Sequence, residues 1–195
     1  MRQNRVDPFG ALHAVPERGG WMGNRGCLHD GAGQIRRGWQ GRRWITCVCA
    51  FRGRKRALMQ PGRYTELFFL DEATAYAVGH RPCAECRRAD WLRFAGRWAA
   101  VFGPTGAEGI DRALHAARLD GRGRRLVPVT PGSVPEGAMV AEGAAVLLRA
   151  PEGWRRWSFA GYTPAEAPAG PTRLLTPEPL ARLMAAGLPV QIRDG

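Results

Sequence analysis

A chain of 195 residues that is 45% apolar can bury one good core or two small ones, and its 26 glycines and 15 prolines point to many turns and short elements. No apolar run approaches the roughly 18 residues needed for a membrane-crossing helix, and the opening residues lack an apolar signal core, so cytoplasmic residence is expected. The net charge is +12, with Lys55 the single lysine; a bias toward arginine codons explains the choice of base but not its excess over 17 acids, which suits a phosphate-facing surface and nucleic acid as partner.

Residues 1–22 read as an irregular arm leading into Trp21-Met22-Gly23-Asn24-Arg25-Gly26-Cys27-Leu28-His29-Asp30, a tight segment between the turn signals Gly23-Asn24 and Asp30-Gly31. Residues 42–52 carry β-branched and aromatic side chains and predict a strand, which Gly53 turns into residues 55–59 as a hairpin; Pro61-Gly62 breaks it. Leu-Phe-Phe-Leu at 67–70 predicts a short strand, Asp71 an N-cap, and residues up to Val78 a helix of about two turns. Gly79 is placed to stop that helix, because a left-handed terminating residue needs no Cβ. The turn His80-Arg81-Pro82-Cys83-Ala84-Glu85-Cys86 follows.

A second helix is expected over 89–102, where Trp91, Phe94, Ala95 and Trp98 recur at helical spacing before Gly103-Pro104, and a third over 108–119 with Ile110, Leu114 and Ala117 on one face. Residues 120–137 lack periodicity and read as a linker or long loop. Strands are expected at 138–140, 144–149, 154–159 and 172–175, with a loop over 162–171 and a closing helix over 177–186. The fold class is therefore α+β, divided into 1–103 and 104–195. The order strand, capped helix, Gly, Pro occurs at 67–82 and again at 173–189, each time after a hairpin. It reads as a β-hairpin–β–α unit present in two copies, of which only the first carries cysteines; strand–helix–Gly is also common enough to recur by chance.

Five cysteines in a reducing compartment favour metal binding or buried thiols over disulfides. Cys83 and Cys86, three residues apart on a turn, can reach one tetrahedral ion, and zinc is the expected cofactor. A redox pair would open a helix after a buried strand, whereas this one follows a helix stop. Two further ligands are needed. Cys27 and His29, two residues apart in a glycine-bounded turn, are the first choice. Cys47 and Cys49 are the rivals; they alternate with Thr46, Val48 and Ala50 and share with Ile45 and Phe51 a strand face that reads as core. His80 reads as packing beside the site, and His13 and His115 as isolated residues.

Arginine and aromatic residues interleave at 36–44, at 52–56 and at 154–157, a pattern that suits single-stranded nucleic acid and equally a twisted hairpin with Trp inward. Arg87 and Arg88 beside the knuckle, with Arg25, Arg42 and Arg43, are the candidate phosphate contacts. No glycine-rich phosphate loop, Ser-His-Asp order or His-Glu-x-x-His helix is present. His29-Asp30, Glu66, Asp71 and Glu72 lie near the expected ion and supply the acidic groups a metal-dependent nuclease would use.

The run Thr-Glu-Leu-Phe-Phe-Leu-Asp-Glu-Ala-Thr-Ala-Tyr-Ala-Val-Gly-His-Arg-Pro-Cys-Ala-Glu-Cys at 65–86 resembles the N-terminal metal-binding module of Ada-type DNA repair proteins. That module ends in the same order: an aromatic strand, an acid-capped alanine-rich helix, Gly, an aromatic or His, then Arg-Pro-Cys-x-x-Cys. The resemblance implies a zinc-knuckle unit, DNA as partner, and a zinc thiolate, here Cys27, that takes a methyl group from phosphotriesters. Ada places a second cysteine pair just before the aromatic strand, where residues 59–64 here have none. The chain also resembles a group of bacterial proteins that share Gly-Asn-Arg-Gly-x-Leu-His-Asp, the segments at 61–75 and 79–88, and Trp-Ser-x-x-Gly-Tyr, a kinship that implies no activity. The reading is a zinc-binding protein that contacts nucleic acid in DNA repair or regulation. A metal-dependent enzyme on nucleic acid and a zinc-stabilised protein-interaction module are the alternatives.

Overall fold

The computed structural model describes residues 1–53, 57–121 and 123–193 of an α+β chain. One six-stranded sheet is built from β1 (Arg5–Val6), β2 (Leu12–His13), β3 (Trp21–Asn24), β4 (Ile45–Val48), β5 (Leu67–Phe69) and β6 (Arg81–Pro82), in the order β2-β1-β5-β3-β4-β6. Two of its pairings are parallel, β1 with β5 and β4 with β6. The first 22 residues are thus not an arm: they supply two strands and the start of a third. The strand expected over 42–52 is confined to β4, which pairs with β3 and β6. Of its expected partner at 55–59, residues 55 and 56 lie outside those described and residues 57–59 form no strand.

The helix α1 (Glu72–Ala77) follows β5, and every residue in it is buried. Asp71 caps it, with Oδ1 accepting the Thr74 amide at 2.8 Å and the Thr74 hydroxyl at 2.7 Å. The other end closes as a Schellman turn: Gly79, at φ +90°, donates to the Tyr76 carbonyl, and His80 donates to that of Ala75. Alanines keep this helix thin, so apolar layers approach from three sides. Ala75 and Val78 join Leu67 and Phe69 of the first sheet, and Trp44 just before β4, in one apolar cluster. Ala73 and Ala77 meet Met139, Leu148 and Leu175. Tyr76 meets Phe94, Trp98 and the apolar faces of α2 (Arg88–Phe102), α3 (Ala107–Arg118) and α4 (Glu178–Ala185). Each large apolar side chain buried this way contributes about 1.5–3 kcal/mol.

β7 (Leu119–Asp120) pairs antiparallel with β8 (Gly123–Arg124), at the start of the segment expected as a loop. The second sheet is antiparallel throughout, with β9 (Val127–Pro128), β10 (Met139–Glu142), β11 (Ala145–Ala150), β12 (Gly153–Ser158), β13 (Gly161–Ala165) and β14 (Thr172–Leu174) in the order β13-β12-β11-β10-β14-β9. Two-residue turns link β10 to β13 in series, and Pro164 is tolerated in β13 because that strand is an edge. β5 pairs antiparallel with β3, and β14 with β10, the first strand of the four-strand meander before it. α4 ends as α1 does, with Gly187 at φ +89° and Leu188 donating to the Leu183 carbonyl.

The Gly-His-Arg-Pro segment ties the two sheets' layers together. Arg81 forms a buried bidentate pair with Asp111 of α3, both bonds 2.8 Å, under the ring of Trp91. His80 is fully buried between Trp44 and Phe69. Among the described residues no helix is long and apolar enough to cross a membrane.

Candidate metal centre

The parallel pairing of β4 with β6 decides which thiols meet. Ile45 lies opposite Arg81 and Thr46 opposite Pro82, and the Cys83 amide donates to the Thr46 carbonyl at 2.9 Å. One residue further along both strands, Cys47 and Cys83 are therefore neighbours, and the knuckle returns Cys86 to them. The sulfurs of Cys47, Cys83 and Cys86 lie within 4.8 Å of one another. A tetrahedral zinc with Zn–S bonds of about 2.3 Å needs sulfurs about 3.8 Å apart, so a small closure would bring these three to the spacing of zinc ligands.

The local electrostatics prepare one thiolate. The Cys83 thiol is lowered to about 5, first by a hydrogen bond from Cys47 and then by the amides of Cys86 and Glu85, against the opposing effect of burial. Cys47 is pushed up because it is that donor and is buried. Burial also raises Cys86, whose sulfur receives the Val48 amide. Such N–H···S bonds are what a metal thiolate needs once its charge leaves water.

Cys27 and His29 do not belong to this group. Nδ1 of His29 meets the Thr65 hydroxyl at 2.6 Å and Nε2 meets the Gln60 carbonyl at 3.2 Å. A carbonyl only accepts, so Nε2 carries the proton and the lone pair of Nδ1 is spent on Thr65. Cys27 is half-buried with its sulfur 3.6 Å from the His29 carbonyl. Ile45 and Cys47 share a face of β4, and Cys49 and Phe51 lie beyond its end at Val48; that face is not core, for all four line an open groove of about 490 Å³. The core face belongs to Trp44 and Thr46. Cys49 is exposed, with its sulfur 3.3 Å from the Gly20 carbonyl.

Cys83 and Cys86 line the same groove, along with Met22, Asn24, Glu66 and Phe68. Glu66 and Asn24 carried no motif that marked them together; only strand pairing places both on the groove.

The arginines divide. Arg42, Arg43 and Arg88 are exposed. Arg87 is buried, paired with Glu72 and with Asp90 at 2.8 Å, its guanidinium 4.0 Å from the Trp21 ring. Arg25 is buried too, donating to the Gly10 carbonyl at 2.7 Å. Neither offers phosphate a free guanidinium, because each already serves the fold. Arg118 and Arg124 are likewise drawn inward, onto the carbonyls of Gly79, Val78 and Ala77 where α1 ends.

Fold and site together define an α+β protein with a three-cysteine group able to hold a metal ion. No family model matches the chain, and no curated protein or solved structure matches it either.

Proposed function

We propose that this is a zinc-binding protein whose ion is held by Cys47, Cys83 and Cys86 and whose partner is nucleic acid. The observation that carries the metal is the convergence of three sulfurs from two strands and a turn, two of them receiving backbone amides. Soft thiolate sets select zinc over the harder divalent ions. Metal analysis of protein purified without chelators tests it, wild type beside Cys83→Ser. About one zinc per chain in the wild type and little in the variant is the expected result. A metal-free wild type whose unfolding is unmoved by EDTA would defeat the reading.

Nucleic acid is favoured by the segment between β3 and β4, which presents Arg36, Arg37, Arg42 and Arg43 to solvent, and by the likeness of residues 65–86 to the Ada-type module. Binding to oligonucleotides weakens steeply with salt on this reading, and Arg42→Ala with Arg43→Ala reduces the log–log slope by about 2. Binding that is absent, or indifferent to salt, leaves the arginines as a solvated face.

A further inference from the structure

We propose that the groove beside the three cysteines binds a planar, uncharged heteroaromatic ring of nucleobase size, which lies on the sheet and offers a donor atom to the ion. The inference rests on the metal site proposed above. Among the described residues no fourth Cys, His, Asp or Glu joins Cys47, Cys83 and Cys86, and all three line the groove. A three-sulfur zinc leaves one position to an outside donor, as catalytic and ligand-binding zinc sites do.

The strand register supplies the shape. Met22 lies opposite both Cys47 and Phe68, so one row across the sheet reads Phe68, Met22, Cys47, with strands about 4.8 Å apart. The row continues to Arg5, which pairs with Phe68 and holds its guanidinium 4.8 Å from that ring, so the apolar platform runs from Phe68 and Met22 to the sulfurs and has a cation at its far end. The next row on the same face has Asn24 opposite Ile45 and lies about 7 Å along the strands; Glu66, the residue before β5, follows the Gly23–Leu67 pair and lines the groove with Asn24 and Ile45. The Met59 amide holds Oε2 of Glu66 at 2.7 Å and so fixes its carboxylate. A ring stacked on Met22 and Phe68 with one edge toward the ion turns another edge to an amide and a carboxylate. Heterocycles that carry ring nitrogens with exocyclic amino or carbonyl groups match that pair.

Size and charge narrow the class further. A volume of about 490 Å³ accommodates a base with part of its sugar. Three thiolates around a divalent ion carry one net negative charge, and Glu66 adds another, while Arg5 sits at the far end of the row over Phe68, so the end of the groove at the sulfurs repels phosphate. Phosphates of a bound strand therefore stay outside, and the base alone enters. The same chemistry comes from a free nucleoside or from a base extruded by a single strand.

Cobalt(II) in place of zinc reports the coordination shell directly. Cytidine, adenosine, ribose, inorganic phosphate and single-stranded oligonucleotides are titrated against protein carrying one cobalt per chain. A saturable shift of the cobalt d–d bands is expected with a nucleoside or an oligonucleotide, and none with ribose or phosphate. A shift with oligonucleotides alone assigns the ring to a strand; a shift with nucleosides as well assigns it to a small molecule. Phe68→Ala raises the half-saturation concentration about tenfold, from lost stacking, and leaves the unliganded spectrum unchanged. Asn24→Ala, which removes no core side chain, does the same. Unchanged bands with every nucleoside and oligonucleotide, in protein with its full cobalt, overturn the proposal and leave the metal site standing. Failure to take up cobalt at all overturns the metal reading itself.

Discussion

Replacing Cys47 by Ser separates the sulfur group that the structure brings together from the ligands expected from spacing. The thiol is buried at the edge of the groove and close to both knuckle sulfurs, so the hydroxyl fills nearly the same space with a harder, less acidic donor. The amides of Glu85 and Cys86 still reach Cys83, and the knuckle keeps its shape. Four ligands of a structural zinc together supply about 10–16 kcal/mol, so one sulfur is worth about 3–4 kcal/mol, a loss of roughly 10²–10³ in affinity. Competition with a chromophoric chelator reads that loss. In the cobalt protein the sulfur-to-metal charge-transfer intensity falls by roughly a third, as three Co–S bonds become two. Cys27→Ser changes affinity less than about threefold, because its sulfur is outside the group. If Cys27→Ser strips the metal while Cys47→Ser retains it, the reasoning from the β4–β6 register is refuted.

Three further predictions follow from packing. Asp111→Ala leaves the buried Arg81 guanidinium unpaired and costs about 3–5 kcal/mol in urea unfolding, and the double change Arg81→Met with Asp111→Leu recovers most of it; a cost below about 1 kcal/mol would show that the pair holds nothing. Gly79→Ala forces a Cβ to φ +90° and within 2.8 Å of Arg118 Cδ and 3.2 Å of Pro177 Cγ. The cost is about 2–3 kcal/mol, or about 4–12 °C in Tm, whereas Gly187→Ala, whose Cβ meets only the Arg97 guanidinium at an ordinary contact of 3.7 Å, loses only about 1 kcal/mol; equal losses at the two sites would count against the clash. Burial first, and then the charges of Arg25, Arg118 and Arg124, hold His80 well below its usual 6.5. Its neutral form thus stabilises the fold fully above pH 6.5, and that stability drains away as pH falls, at about 1.4 kcal/mol per unit. His80→Phe, compared with wild type between pH 7 and 4.5, removes this slope; parallel curves would mean that the imidazole titrates normally in the fold.

Much of the framework is a local matter and was legible residue by residue. Asp71 with Thr74 opens α1, and Gly79 closes it, because capping needs only a side-chain acceptor and a positive φ within a few positions. The spacing of Trp91, Phe94 and Trp98 marks α2, and that of Ile110 and Leu114 marks α3, because a helix turns its apolar face with a period of 3.6. Short strands at 5–6, 12–13 and 161–165 were not legible, since two to five residues show no period and exist only through pairing.

For the site, residue spacing alone puts Cys83 and Cys86 on one turn and Cys47 with Ile45 on one strand face. Whether that face looked into the core or onto a groove could not be read from alternation, which is the same in either orientation. The parallel register of β4 against β6, set by contacts distant along the chain, chose Cys47 as the third sulfur and left Cys27 and His29 apart. Tertiary structure likewise sorted the arginines: one type of side chain serves as a buried partner of Glu72 or Asp111 and as an exposed cation at Arg42 or Arg88. Composition records charge, and only packing decides which charges water and ligands can reach.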